Sequence, residues 1–242
     1  MKIICYLACG YPTLEKSLEM AELYVQAGCD AIEWCLPPKD PYVDPPYIAE
    51  KLRQARSGCG DYEVYLKELA AFRKKYPQVE IILLLYQETV LELTAKRLIA
   101  YCREQGIETI LSGNLSDEAA CKALMAGGLK IAASINYTMY PQEFELIKAA
   151  NGFIYAQALP SPEDLAAGRG RETLKKAIDK LREMGIDRPV YCGVGIRSPQ
   201  DIAFIRQSGG QGFFLGSTIM QYYDEPEKMM QTIRAYKEAG MA

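Results

Sequence analysis

The sequence predicts an α/β fold, a single (β/α)8 barrel spanning residues 1–242. Three observations point there. Eight short apolar runs alternate with stretches of helical spacing. Each unit averages about 30 residues, the size of a βαβ repeat. Turns rich in Gly, Pro, Asp and Ser separate the units, and no linker, charge block or low-complexity segment divides the chain. Runs apolar on both faces suit parallel strands covered by helices. An open doubly wound sheet gives the same alternation, but eight units are many for one and match the length of a closed barrel.

The runs are IICYLA (3–8), AIEWCL (31–36), EIILLLY (80–86), ETILSG (108–113), KIAASI (130–135), GFIYAQ (152–157), PVYCGV (189–194) and GFFLGS (212–217). Between the first two, residues 13–27 have helical spacing. Leu14, Leu18, Ala21, Leu23 and Val25 fall mostly on one stripe, and Thr13 is placed to cap the start. Gly28 ends that helix, and Gly106, Gly127 and Gly185 are expected to end later ones as left-handed C-caps. The longest stretches without a helical pattern are 37–61 and 157–170. They follow the second and sixth runs, where a barrel places its catalytic loops.

Composition removes whole classes of function. With 28 basic against 31 acidic residues and no basic stripe, nucleic acid is not an expected partner. The absence of histidine excludes Ser-His-Asp and Cys-His mechanisms and His-containing zinc sites, so proton transfer falls to carboxylates, Lys, Tyr or Cys. The eight cysteines are scattered through apolar stretches and read as small hydrophobes of a reduced, cytoplasmic protein. The opening MKIICYLACGYP lacks the order of a signal peptide, and no apolar run reaches the ~18 residues of a membrane span.

Two constellations carry chemistry. The seventh run leads into Gly193-Val194-Gly195-Ile196-Arg197-Ser198-Pro199 and the eighth into Gly216-Ser217-Thr218. Glycines at strand ends let backbone N–H groups approach an anion, and loops after the last two strands are where a barrel builds its phosphate site. A phosphate-ester ligand is therefore expected, with simple turn glycines as the alternative. In the second run Glu33 interrupts apolar residues. Alternation puts Ile32, Trp34 and Leu36 on one face and Glu33 and Cys35 on the other, so Glu33 is expected to face the barrel interior. Desolvation there raises a carboxyl pKa toward values useful for acid/base work; pairing with a core Lys or Tyr is the bland alternative. Asp44 lies eleven residues on, in a Pro-stiffened loop with Asp40, and brings a second carboxylate to the mouth. Lys39 reads as a surface charge, Tyr86 and Tyr155 as mouth or core tyrosines, and Cys5, Cys9 and Cys35 as packing thiols.

At these residues the chain resembles the tryptophan synthase alpha chain family. The resemblance runs in order from YLACGYPTLEKSLEMAELYVQAGCDAIEWCLPPKDPYVD through EIILLLY to CGVGIRSP and FFLGSTIM. It implies a TIM barrel of tryptophan biosynthesis, a lyase that cleaves indole-3-glycerol phosphate by a retro-aldol reaction to indole and glyceraldehyde 3-phosphate, with no metal and no cofactor. By the same resemblance Glu33 is the general acid/base and Asp44 the carboxylate on the indole N–H. Tyr86, Tyr155 and Leu84 are substrate contacts, and Gly195, Gly216 and Ser217 form the phosphate site. A β subunit is the implied partner. The chain departs from the family pattern in three places. Pro45 follows Asp44 where the family has Gly, which predicts a stiffer loop. The stretch AQALPSPEDLAAGRG replaces a Thr-containing lid, leaving no Thr there to orient Asp44. The chain starts at its first strand without the family's N-terminal plug helix, leaving an apolar floor to be closed some other way. A divergent paralogue acting on another phosphorylated substrate, or a non-catalytic phosphate-binding barrel, stand as alternatives.

Overall fold

The computed structural model describes residues 1–113 and 117–241. Its elements run β1 (Lys2–Ala8), α1 (Leu14–Ala27), β2 (Ala31–Cys35), α2 (Pro46–Gly58), α3 (Tyr62–Lys75), β3 (Glu80–Leu85), α4 (Gln87–Leu93), α5 (Ala95–Gln105), β4 (Thr109–Ser112), α6 (Glu118–Ala126), β5 (Lys130–Ile131) and β6 (Ala133–Ile135). There follow α7 (Pro141–Ala149), β7 (Ile154–Gln157), α8 (Pro162–Ala166), α9 (Glu172–Glu183), β8 (Val190–Gly193), α10 (Pro199–Gln207), β9 (Gly212–Leu215), α11 (Ser217–Met220) and α12 (Pro226–Met241).

The strands form one parallel sheet in the order β5-β4-β3-β2-β1-β9-β8-β7-β6. The fifth barrel strand is split at Ala132: Lys130 and Ile131 pair with β4, whereas Ala133–Ile135 pair with β7. Ala132 N–H still donates to the Ile110 carbonyl at 2.9 Å, and Gly152 N–H donates to the Ile131 carbonyl at 2.8 Å, so the cylinder closes across the split. Gly152 permits this approach, because a Cβ there would lie 2.6 Å from the Ile131 carbonyl group. The expected (β/α)8 barrel is the observed fold.

Helix α1 shows how the local signals operate. The Thr13 side chain accepts from Lys16 N–H, and Gly28 closes the helix in the left-handed region at φ 93°. The buried stripe is Ser17, Met20, Ala21, Tyr24 and Ala27; of the expected apolar set only Ala21 is on it, and Leu14, Leu18, Leu23 and Val25 are half-buried at its flanks. The inward line follows three small residues, one Met and one Tyr because α1 packs over β1 and against α12. Gly106 and Gly185 take the left-handed conformation as expected, but Gly127 is right-handed and the adjacent Gly128, at φ 94°, makes the turn.

Two further expectations are corrected. The stretches 37–61 and 157–170 are not without helix: they contain α2 and α8. The prolines mask these helices in the sequence, since Pro46 and Pro162 occupy first-turn positions where a missing N–H costs nothing and a fixed φ favours the helix. Ala49, Leu52 and Ala55 then bury one stripe of α2. The barrel floor is charged rather than apolar. Lys2 pairs with Glu80, Lys130 pairs with Glu108 at 2.7 Å, and Arg188 donates to the carbonyls of Ala150 and Gly152 around a cavity of about 620 Å³.

Candidate active site

At the carboxyl ends of the strands lies a cavity of about 840 Å³, and Glu33, Asp44, Leu84, Tyr86, Tyr155, Gly195, Gly216 and Ser217 all line it. The structure thus brings together every residue the sequence singled out for substrate or catalysis.

Glu33 is set by strand register. It lies between Tyr6 of β1 and Ile82 of β3, and the pleat that turns it inward turns Trp34 outward onto Phe72 of α3, ring centroids 5.2 Å apart. Glu33 is 6% exposed, and among the described residues no Lys or Arg forms an ion pair with it. Burial, with the Asp44 charge adding to it, pushes its pKa up from 4.5 to about 8. A carboxyl raised in this way favours its protonated form at neutral pH.

Asp44 arrives from the loop ahead of α2. Its N–H closes a turn onto the Pro41 carbonyl at 3.2 Å, and Pro45 then caps the helix. Tyr86, buried at the end of β3, donates its hydroxyl to both carboxylate oxygens at 2.9 and 3.1 Å. Burial raises the Asp44 pKa and this hydrogen bond partly counters it. The Tyr86 hydroxyl in turn accepts a weak bond from Cys35 at 3.9 Å. Asp40 stays exposed and Lys39 pairs with Glu92 at 2.7 Å, so neither joins the site.

Room for the tyrosines is made by glycines. A Cβ at Gly113 would lie 2.5 Å from the Tyr86 ring, and one at Gly193 would lie 2.1 Å from the Tyr155 hydroxyl. Tyr155 packs on Phe214 with ring centroids 4.8 Å apart. Beyond the adjacent strand β8, Gly195 sits at φ 85° after Val194 at φ 68°, a conformation costly for any side chain but Gly. Thr218 donates to the Ile196 carbonyl at 2.7 Å and so fixes this loop to the one carrying Gly216 and Ser217.

Sequence reasoning missed three features. Tyr6, inward by the same parity as Glu33, carries a buried hydroxyl that finds no hydrogen-bond partner among the described residues. Arg197 lines the cavity beside Gly195. Asp164 organises the segment after β7: its carboxylate accepts from Gln157 Nε2 at 2.7 Å, Ser161 N–H at 3.0 Å and Arg169 Nε at 2.9 Å. Burial acts to raise the Asp164 pKa, but these donors outweigh it and hold the group at about 2. The spacing of Ser161 and Asp164, a capping box, was the available signal. Among the described residues no cluster of three His, Cys, Asp or Glu is arranged to hold a metal, and no helix is long and apolar enough to cross a membrane.

The model of the family described as "Tryptophan synthase alpha chain" matches residues 1–241. The tryptophan synthase alpha chain of Escherichia coli (strain SMS-3-5 / SECEC) is 27% identical over 239 residues, covering 96% of this chain and 88% of the relative. That of Salmonella paratyphi B is 28% identical over 245 residues, covering 98% and 91%. Among solved structures, one from Aquifex aeolicus VF5 superposes with a TM-score of 0.86 at 22% identity, covering 98% of this chain and 92% of that one. Ligand-free tryptophan synthase of M. tuberculosis gives 0.85 at 21% identity, covering 100% and 93%. These superpositions establish the fold, and the family match adds the lineage: the chain belongs to the tryptophan synthase alpha chain family, the lyases that cleave indole-3-glycerol phosphate.

Proposed function

We propose that Glu33 and Asp44 carry out the acid/base work of the retro-aldol cleavage. Glu33, protonated, delivers its proton to indole C3. The carbon–carbon bond to the glycerol chain then breaks, its electron pair returns to the ring, and the carbinol hydroxyl gives its proton back to Glu33 as the aldehyde forms. Asp44 accepts from the indole N–H and stabilises the positive charge that C3 protonation places on the ring. Leu84, Tyr86 and Tyr155 hold the indole by apolar contact. The N–H groups of Gly195, Gly216 and Ser217 receive the phosphate, as strand-end loops of this kind do.

The observation that carries this reading is a buried carboxyl whose pKa burial raises to about 8, with a second carboxylate and the glycine loops lining the same cavity. A β subunit is the proposed partner, and Tyr42, Val43 and Tyr47, all exposed next to Asp44, supply an apolar rim for it. The eight free thiols fit a reducing compartment. Indole release from indole-3-glycerol phosphate, measured with and without a β subunit, tests the proposal. Glu33→Gln is expected to lose about 10² to 10⁴ in turnover. Wild-type activity equal to buffer in both conditions would refute it.

A further inference from the structure

Among the described residues lining the 840 Å³ cavity, Arg197 is the sole cation, and Glu33 and Asp44 are the two carboxyl groups. Its guanidinium is exposed and, among the described residues, enters no ion pair. The nearest acid in sequence, Asp201, is already committed: it accepts from Arg171, from Ser198 N–H at 3.0 Å and from Ser198 Oγ at 3.1 Å. The main chain under Arg197 is anchored on both sides. Its own N–H donates to Asp201 at 3.1 Å, and the preceding carbonyl accepts from Thr218. A fixed base with an uncommitted head, one residue past Ile196 and two past Gly195, suits an anion-binding group.

Resting on the proposed function, we propose that Arg197 is a specificity-determining contact that adds a charge-assisted clamp on the substrate phosphate to the uncharged donors of the glycine loops. Guanidinium hydrogen bonds to phosphate are about twice as strong as neutral ones and favour the dianion. An unpaired exposed cation also makes the attraction sensitive to salt. The clamp would thereby set positive charge where the phosphate anchors, apart from the Glu33 and Asp44 carboxyls that act on the indole.

The test compares wild type, Arg197→Lys and Arg197→Gln as full-length chains. Steady-state constants for indole-3-glycerol phosphate are measured at 20 and 200 mM KCl, and inorganic phosphate is titrated calorimetrically without substrate; these conditions are set on the order of the salt range over which surface charge is screened. Arg197→Gln is expected to raise KM roughly tenfold at low salt, to weaken phosphate binding by a similar factor, and to flatten the salt dependence, with the loss in KM rather than kcat. Arg197→Lys should fall between, because Lys keeps the charge without the fork. Equal KM, equal phosphate affinity and equal salt dependence in wild type and Arg197→Gln would overturn the inference while leaving the lyase reading intact. Should wild type fail to cleave indole-3-glycerol phosphate, the lyase reading falls and the phosphate titration alone decides: a tenfold difference supports the clamp, and no difference or no binding overturns it.

Discussion

The Tyr86 hydroxyl bridges both oxygens of Asp44 at 2.9 and 3.1 Å, and Cys35 backs it at 3.9 Å from the same strand as Glu33. A donor just past the end of β3 thus does what the sequence left without an agent: it orients a carboxylate that arrives on a loop. Removing it by Tyr86→Phe keeps the ring and deletes the bond. Because that bond lowers the Asp44 pKa, its loss raises it, and the acid limb of kcat/KM should move to higher pH. Turnover should fall by roughly tenfold, in line with one hydrogen bond to a charged group. An unmoved acid limb would show that Tyr86 does not control Asp44.

Glu33 opposes stability as the pH rises. Its pKa is near 4.5 in the unfolded chain and about 8 when folded. The native state therefore keeps a proton that the unfolded state releases between those values, and stability present below pH 4.5 declines until about pH 8, then levels off. The whole span is worth up to about 5 kcal/mol. Glu33→Gln does not titrate, so its Tm relative to wild type should climb steadily from pH 5 to pH 8. Thermal melts across that range provide the check, and a difference independent of pH would refute the raised pKa.

The charge of Asp44 contributes to that raised value. In Asp44→Asn the alkaline limb of the residual activity should move to lower pH, since Glu33 then ionises more easily. Turnover should drop by about 10² to 10³, the range for removing one electrostatic stabiliser of a developing charge. A pH–rate profile of the variant measures both effects at once.

Asp164 acts below neutrality. Held at about 2 by its donors against an ordinary 3.8, it contributes stability above pH 3.8 that is lost as the pH falls through about 2. Asp164→Ala leaves the Ser161 N–H, the Gln157 amide and the Arg169 guanidinium without their acceptor. A cost of about 1 to 3 kcal/mol is expected. Faster amide exchange should appear in residues 159–169 and not in α9, and protection unchanged from wild type would contradict the anchoring role.

Alternating apolar runs, glycine stops and the parity of β2 made the barrel legible in the sequence, because strand and helix periodicities are properties of neighbouring residues. The same parity sufficed to turn Glu33 inward, and the glycines at 195 and 216 marked strand-end loops that line the cavity. The buried stripe of α1, the helix after Pro45 and the charged floor were not legible, since each depends on what packs opposite. Tertiary structure alone decided that Tyr86 meets Asp44, that Asp164 gathers Gln157 and Arg169, and that Arg197 lines the same cavity as the two carboxylates. The first and the last join residues on different units of the barrel, whose ends meet only once the sheet has closed, and the second depends on how the segment after β7 folds back on its own strand.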